Sequence, residues 1–98
     1  MKTRGFNYLP SIRLGKKKQG LIYYISHNYY LLPAGKRSLI DKHCAAVGGK
    51  YAQALKRFMT SEDGIAKICI EHYIGSPTTI YRLQREYYEK FPLQELIK

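Results

Sequence analysis

The segment that follows Ser76 combines hydroxyl, phenol and guanidinium groups, which hydrogen-bond to phosphates and to base edges. Its polar residues include Thr78, Thr79, Tyr81, Arg82 and Arg85. Arg82 is the residue best suited to a bidentate contact with guanine, because a guanidinium presents two parallel donors. The residue types therefore favour recognition of a polyanion.

Ion pairing along a helix is an alternative use for these arginines. Arg82 precedes Glu86 by four residues, and Arg85 precedes Glu89 by the same interval. Exposed pairs at this spacing contribute only about 0.3–0.5 kcal/mol, so they would exchange readily for contacts with phosphate. The sequence alone leaves both interpretations open.

The histidines and cysteines do not have the spacing of a metal site or of a catalytic pair. Cys69 and His72 would lie close together on a helix. His43 and Cys44, however, are adjacent in the sequence and point apart, which disfavours four convergent ligands. A ribonuclease could pair His27 with His43 or His72, but no spacing indicates this. We expect no metal, no cofactor and no enzymatic activity.

Two short helices are predicted to position the polar segment. Their apolar residues at helical spacing are Ile65, Ile68 and Cys69 in the first and Ile80, Leu83 and Tyr87 in the second. Ser76 can cap the second helix through its hydroxyl, and Pro77 suits the first helical position. Upstream, one helix is predicted to start at Ser38 and to end at Gly48, and another to span residues 50–59.

This arrangement resembles the helix-turn-helix of bacterial and phage DNA-binding proteins, as in resolvase-, transposase- and phage-activator-like modules. The matching residues are Ile65, Ala66, Ile68, Cys69, Ile74, Ser76, Pro77, Thr79, Ile80, Tyr81 and Arg82. Tyr73 departs from the pattern because it occupies the usual glycine position. Gly75 is an extra residue before Ser76, so the turn is one residue longer. The resemblance covers about 25 residues.

The resemblance implies that the second helix enters the major groove of double-stranded DNA. Thr78, Thr79, Tyr81 and Arg82 would face the groove, whereas Ser76 and Arg85 would contact phosphates. It implies a small transcriptional regulator of a mobile element or phage. The apolar residues between Tyr87 and Ile97 could also support a homodimer.

The charge distribution points to the same class of partner. The formal net charge is +10, and residues 1–50 hold ten of the 17 basic residues but one of the seven acidic ones, Asp41. Such an excess of positive charge repels itself in the folded state, so it indicates a polyanionic partner more than a contribution to stability. The N-terminal cations expected to bind nucleic acid are Arg4, Arg13, Lys16, Lys17 and Lys18. Lys16–Lys18 are predicted to lie in an exposed loop.

Aromatic and β-branched residues dominate positions 21–32, with Ser-His-Asn in the middle, which predicts a β-hairpin. Two alternative functions follow. The tyrosines of a basic hairpin could stack the bases of RNA or another single strand. The basic surface could instead bind an acidic protein. We expect the tyrosines on one side of the hairpin to pack on the helices.

Together these features predict one domain over residues 1–98, mostly α with an N-terminal β-hairpin, and thus α+β. A basic arm would occupy residues 1–20, the hairpin region residues 21–35, and a helical bundle containing the helix-turn-helix residues 38–98. No apolar run is long enough for a membrane span, and no signal peptide is visible. We therefore expect a cytoplasmic protein without a membrane partner.

Overall fold

The computed structural model describes residues 6–98, and within this range the chain forms helices without any strand. In chain order the helices are α1 (Lys16–His27), α2 (Ala34–Gly48), α3 (Ala52–Thr60), α4 (Ile65–Glu71), α5 (Pro77–Glu89) and α6 (Leu93–Leu96). Single turns of 3-10 helix cover Tyr29–Leu31 and Gly49–Tyr51. α3 contacts α1, α2, α4 and α5, so it lies at the centre of the packing.

The predicted β-hairpin is wrong, and the fold is all-helical instead of α+β. Residues 21–32 form most of α1, the first 3-10 turn and the start of the link to α2. The buried residues of α1 are Gln19, Ile22, Tyr23 and Ser26, which recur at intervals of three and four. This helical stripe overrides the β propensity of the tyrosines and isoleucines because packing outweighs intrinsic preference.

The helix boundaries differ from the predicted ones at two further places. Lys16–Lys18 form the first turn of α1 instead of a loop, although all three remain exposed. α2 begins at Ala34, four residues before the predicted start at Ser38. Gly48 does end α2 as predicted, because Gly49 adopts a φ of 54°, a left-handed conformation that suits glycine.

One residue of each adjacent tyrosine pair between positions 21 and 32 is buried. Tyr23 and Tyr29 pack in the interior, whereas Tyr24 and Tyr30 are exposed. The hydroxyl of Tyr29 donates to Asp41 at 2.6 Å. The separation into one buried and one exposed tyrosine, predicted for a hairpin strand, therefore occurs on α1 and on the 3-10 turn that follows it.

A buried polar network ties α5 to α1 and α2. The hydroxyls of Tyr87 and Ser26 share a hydrogen bond of 2.6 Å, and both side chains are fully buried. Nε2 of His43 donates to the carbonyl oxygen of Tyr87 at 2.8 Å. Burial lowers the pKa of His43, and the nearby charge of Lys90 lowers it further, against the opposite influence of the bond to Tyr87.

Acidification is expected to destabilise the fold through His43. Because the folded state lowers the pKa of His43 below 6.5, the unfolded chain takes up a proton first as the pH falls. The stabilisation is complete above pH 6.5 and declines below it, with a slope of at most about 1.4 kcal/mol per pH unit for one proton. Urea unfolding at pH 7 and pH 5 measures this decline. His43→Gln should flatten the slope; a variant with the same slope as the wild type would contradict the assignment.

None of the helices formed by residues 6–98 combines the length and the apolar character that crossing a membrane requires.

Candidate nucleic-acid interface

The start of α5 is fixed by two local signals that the sequence predicts. Oγ of Ser76 accepts the backbone N–H of Thr78 at 3.2 Å, and Pro77 occupies the first helical position. The first N–H groups of a helix have no partner within the helix. Ser76 accepts one of them, and Pro77 has no N–H to satisfy. The helix therefore begins at a defined residue, and the directions of its side chains are set from the first turn.

The turn between α4 and α5 places Tyr73 in the left-handed conformation, with a φ of 56°. The N–H of Ile74 donates to the carbonyl of Cys69 at 2.8 Å, and the N–H of Tyr73 to that of Ile70 at 3.4 Å. These two bonds form a Schellman motif, which normally has glycine at the left-handed position. Tyr73 thus occupies the position of the turn at which glycine is normally found. Gly75, two residues later, does not adopt a positive φ.

Tyr73→Gly is expected to stabilise the fold by about 0.5–1 kcal/mol. The left-handed conformation costs a residue with a Cβ atom about 1–2 kcal/mol, and the greater freedom of glycine in the unfolded chain offsets part of this gain. The phenol ring contributes little because the side chain is 94% exposed. Urea unfolding measures the change. Tyr73→Ala keeps the Cβ atom and should give no gain; a gain equal to that of glycine would refute the explanation.

α5 has a buried face and an exposed face, divided as its spacing predicts. Ile80 and Tyr87 are fully buried and Leu83 nearly so. The exposed residues predicted to contact nucleic acid are Ser76, Thr78, Tyr81, Arg82 and Arg85. Thr79 is half-buried, so it turns only partly toward this face.

The ion pairs that offered an alternative role for the arginines are not formed. Across the described residues, no carboxylate lies within 4.0 Å of the guanidinium groups of Arg82 and Arg85. Glu89 instead accepts the backbone N–H of Arg13 at 3.0 Å. Two guanidinium groups therefore lie on the exposed face of α5 with no carboxylate partner among residues 6–98.

Acidic residues elsewhere are largely engaged by other cations. Asp41 pairs with Lys56 at 2.9 Å. Arg57 bridges Asp63 at 2.8 Å and Glu71 at 2.6 Å. These pairs lie on α2, α3 and α4 and the link between the last two, so they do not neutralise the arginines of α5.

A groove of about 510 Å³ separates α5 from the segment that precedes α1. One wall is formed by α5 and the other by the N-terminal segment, and the lining residues are Leu9, Ser11, Ile12, Thr78, Tyr81, Arg82, Gln84 and Arg85. Of the residues that the structure describes, no acidic one lines the groove, whereas two arginines do. The groove therefore combines positive charge with an aromatic ring, hydroxyl and amide groups and apolar surface.

The N-terminal cations lie within this segment and in the first turn of α1. Arg13 lies beside the end of α5 through its bond to Glu89, and Lys16–Lys18 occupy the exposed first turn of α1. No acidic residue balances these lysines in that turn, where the positive end of the helix dipole makes cations unfavourable by about 0.3–1 kcal/mol each. Helix stability therefore does not explain the lysine cluster. Arg4, predicted to belong to the same basic surface, lies outside the described residues.

Cys44 and His43 are buried in the interior. Burial raises the pKa of the Cys44 thiol to about 12, so the thiolate that a metal would need is scarce near neutral pH. His43 is engaged by the backbone carbonyl of Tyr87. In the part of the chain that the structure describes, no three His, Cys, Asp or Glu side chains are placed to hold a metal ion.

The second wall of the groove has no signature in the sequence. Leu9, Ser11 and Ile12 carry no charge and fall outside every recognisable motif. Their proximity to α5 arises from contacts between residues about 70 positions apart. No local pattern could have indicated them.

Comparisons of the chain with protein-family models, with curated proteins and with solved structures found no match. An assignment of function therefore depends on the groove, its charges and the helix that carries them.

Proposed function

We propose that this chain binds double-stranded DNA by inserting the exposed face of α5 into the major groove. The observation that carries the proposal is the pair of arginines, Arg82 and Arg85, which lie on this face with no carboxylate of residues 6–98 within 4.0 Å. The opposite face of the same helix is anchored in the core by Ile80 and Tyr87. A rigid helix with available donors is what base recognition requires.

The dimensions and polarity of α5 support this proposal. Its 13 residues give a helix about 20 Å long. The major groove is wide enough to admit one α-helix. Thr78, Tyr81 and Arg82 lie in the first two turns, where residues of a recognition helix reach base edges. Arg82 is the residue we assign to a guanine, and Arg85, one turn later, to a phosphate.

The basic N-terminal region would supply affinity that does not depend on sequence. Arg13 and Lys16–Lys18 are exposed; Arg13 lies in the segment that flanks α5 and the lysines follow it. Each phosphate they neutralise releases counterions, so binding should weaken steeply as salt increases. Control of transcription from the occupied site is the role that the resemblance to helix-turn-helix proteins suggests.

The proposal is tested by selecting bound sequences from a random pool of duplex DNA, followed by competition with single-stranded RNA. We expect a defined duplex motif that RNA displaces poorly. A pool that stays random, or RNA that competes better than duplex, would contradict the proposal. Capture of an acidic protein that nuclease treatment does not reduce would also contradict it and would indicate a protein partner.

A further inference from the structure

The buried side chain of Gln19 ties the segment before α1 to this helix. Its amide oxygen accepts the N–H of Leu9 at 2.9 Å. Its amide nitrogen donates to the carbonyl of Leu9 at 3.0 Å and to that of Leu14 at 2.9 Å. Gln19 is fully buried, whereas its partners Leu9 and Leu14 are half-buried, so the three bonds are partly shielded from solvent.

These bonds join both ends of the segment between Leu9 and Leu14 to α1. Between them, Ile12 is 4% exposed and packs in the core, whereas Ser11 is exposed and lines the groove. The segment is therefore a fixed wall that faces α5, instead of the free basic arm that the sequence suggests. No hydrogen bond from the hydroxyl of Ser11 occurs within the described residues, which leaves it available to a ligand.

We infer that the sugar–phosphate backbone of one DNA strand lies in the groove between α5 and residues 9–14, and that Gln19 is the positioning residue for the second wall. The inference rests on the proposed binding of duplex DNA by α5. It adds a second, preformed contact and the residue that fixes it. Arg82 and Arg85 line the same groove, so Arg85 would meet a phosphodiester there while Arg82 reaches a base edge, and no acidic residue among the described ones lines the groove.

A fixed wall has a physical advantage over a free arm. A flexible segment loses conformational freedom when it binds, and this loss weakens affinity. Because Gln19 orders residues 9–14 in the folded protein, this loss is not incurred when DNA binds. Arg13, which follows Ile12 and bonds to Glu89 through its backbone N–H, would then meet a phosphate at a defined position.

The first test introduces a negative charge into the groove by Ser11→Glu, with Ser38→Glu as the matched control. Both serines are exposed, and Ser38 lies on α2 and does not line the groove. We expect Ser11→Glu to weaken binding of the selected duplex by on the order of tenfold or more, because the carboxylate would lie beside phosphate. Ser38→Glu should change it by less than about threefold. Equal losses in the two variants would overturn the inference.

The second test removes the three hydrogen bonds by Gln19→Met, which is of similar size. If Gln19 acts by positioning the wall, the slope of log affinity against log salt should fall by about 0.9 for each phosphate that the variant no longer neutralises. Arg13→Ala should then weaken binding in the wild type but not in the Gln19→Met background. Additive effects would mean that Gln19 does not act through Arg13 and would count against the positioning role.

Two controls separate failure of the inference from failure of the proposed function. If the wild type binds no duplex, the proposed function fails before the groove is tested. If the wild type binds but Ser11→Glu behaves like Ser38→Glu, only the groove assignment fails. Circular dichroism establishes that each variant is folded. If Gln19→Met does not fold, the comparison of Ser11→Glu with Ser38→Glu tests the groove assignment alone.

Discussion

Replacing Arg82 by alanine is expected to weaken binding of the selected DNA site by roughly 5- to 150-fold and to relax the preference at one base pair. This range corresponds to the roughly 1–3 kcal/mol that a bidentate arginine–guanine contact contributes to discrimination. The loss should be small on random DNA, where no guanine is fixed at that position. Titration of both duplexes at one salt concentration measures the two effects.

Arg82→Lys separates the charge of Arg82 from its geometry. Lysine keeps the positive charge but not the planar pair of donors, so the salt dependence should persist while the base preference falls. Lys42→Ala removes one exposed charge from α2 and serves as the control for net charge alone. If Arg82→Lys retained the full base preference, Arg82 would be a phosphate contact, and the assignment of Arg82 to guanine would be wrong.

The region around α4 and α5 could be predicted because its signals are local. Ser76 and Pro77 specify where α5 begins without help from the rest of the chain. Ile80, Leu83 and Tyr87 recur at helical spacing and are all buried. The same local signals identified the exposed residues of α5 that line the groove, apart from Gln84.

α1 could not be predicted because its buried face is half polar. Two of the four buried residues are Gln19 and Ser26, and their partners lie at Leu9, Leu14 and Tyr87. A helical stripe interrupted by polar residues does not stand out from the sequence, so the tyrosines and isoleucines dominated the prediction of strands. A buried glutamine is tolerated only when its amide is fully bonded, and that depends on residues distant in the sequence.

The same non-local contacts determine what the candidate site contains. The cations predicted to bind nucleic acid are dispersed in the sequence, from Arg4 to Arg85, and nothing in their spacing relates the two ends. The backbone bond from Arg13 to Glu89 and the packing of Ile12 bring the N-terminal segment beside α5. The site is therefore a product of tertiary packing, although one wall of it is a local motif.

Tyr87→Ala is expected to be the most destabilising of these substitutions, lowering the free energy of unfolding by about 3–5 kcal/mol. Tyr87 is fully buried, and its ring lies against those of His43 and Phe91, with centroids 4.7 and 5.3 Å away. Each kcal/mol lowers the melting temperature of a chain of this size by about 4–8 °C. Tyr81→Ala, on the exposed face of the same helix, should lower the free energy of unfolding much less; equal losses would contradict the anchoring role of Tyr87.

Tyr87→Phe isolates the hydroxyl from the ring. It leaves the buried hydroxyl of Ser26 without its partner at 2.6 Å, which should cost about 1–3 kcal/mol. Adding Ser26→Ala removes the unpaired hydroxyl. The double variant should therefore lose less free energy of unfolding than the sum of the losses in the two single variants. Additivity in urea unfolding would show that the two hydroxyls do not stabilise the fold as a pair. Because Tyr87→Phe keeps the ring that anchors α5, it should bind the selected DNA as the wild type does wherever it is folded, whereas Tyr87→Ala should lose binding together with its fold.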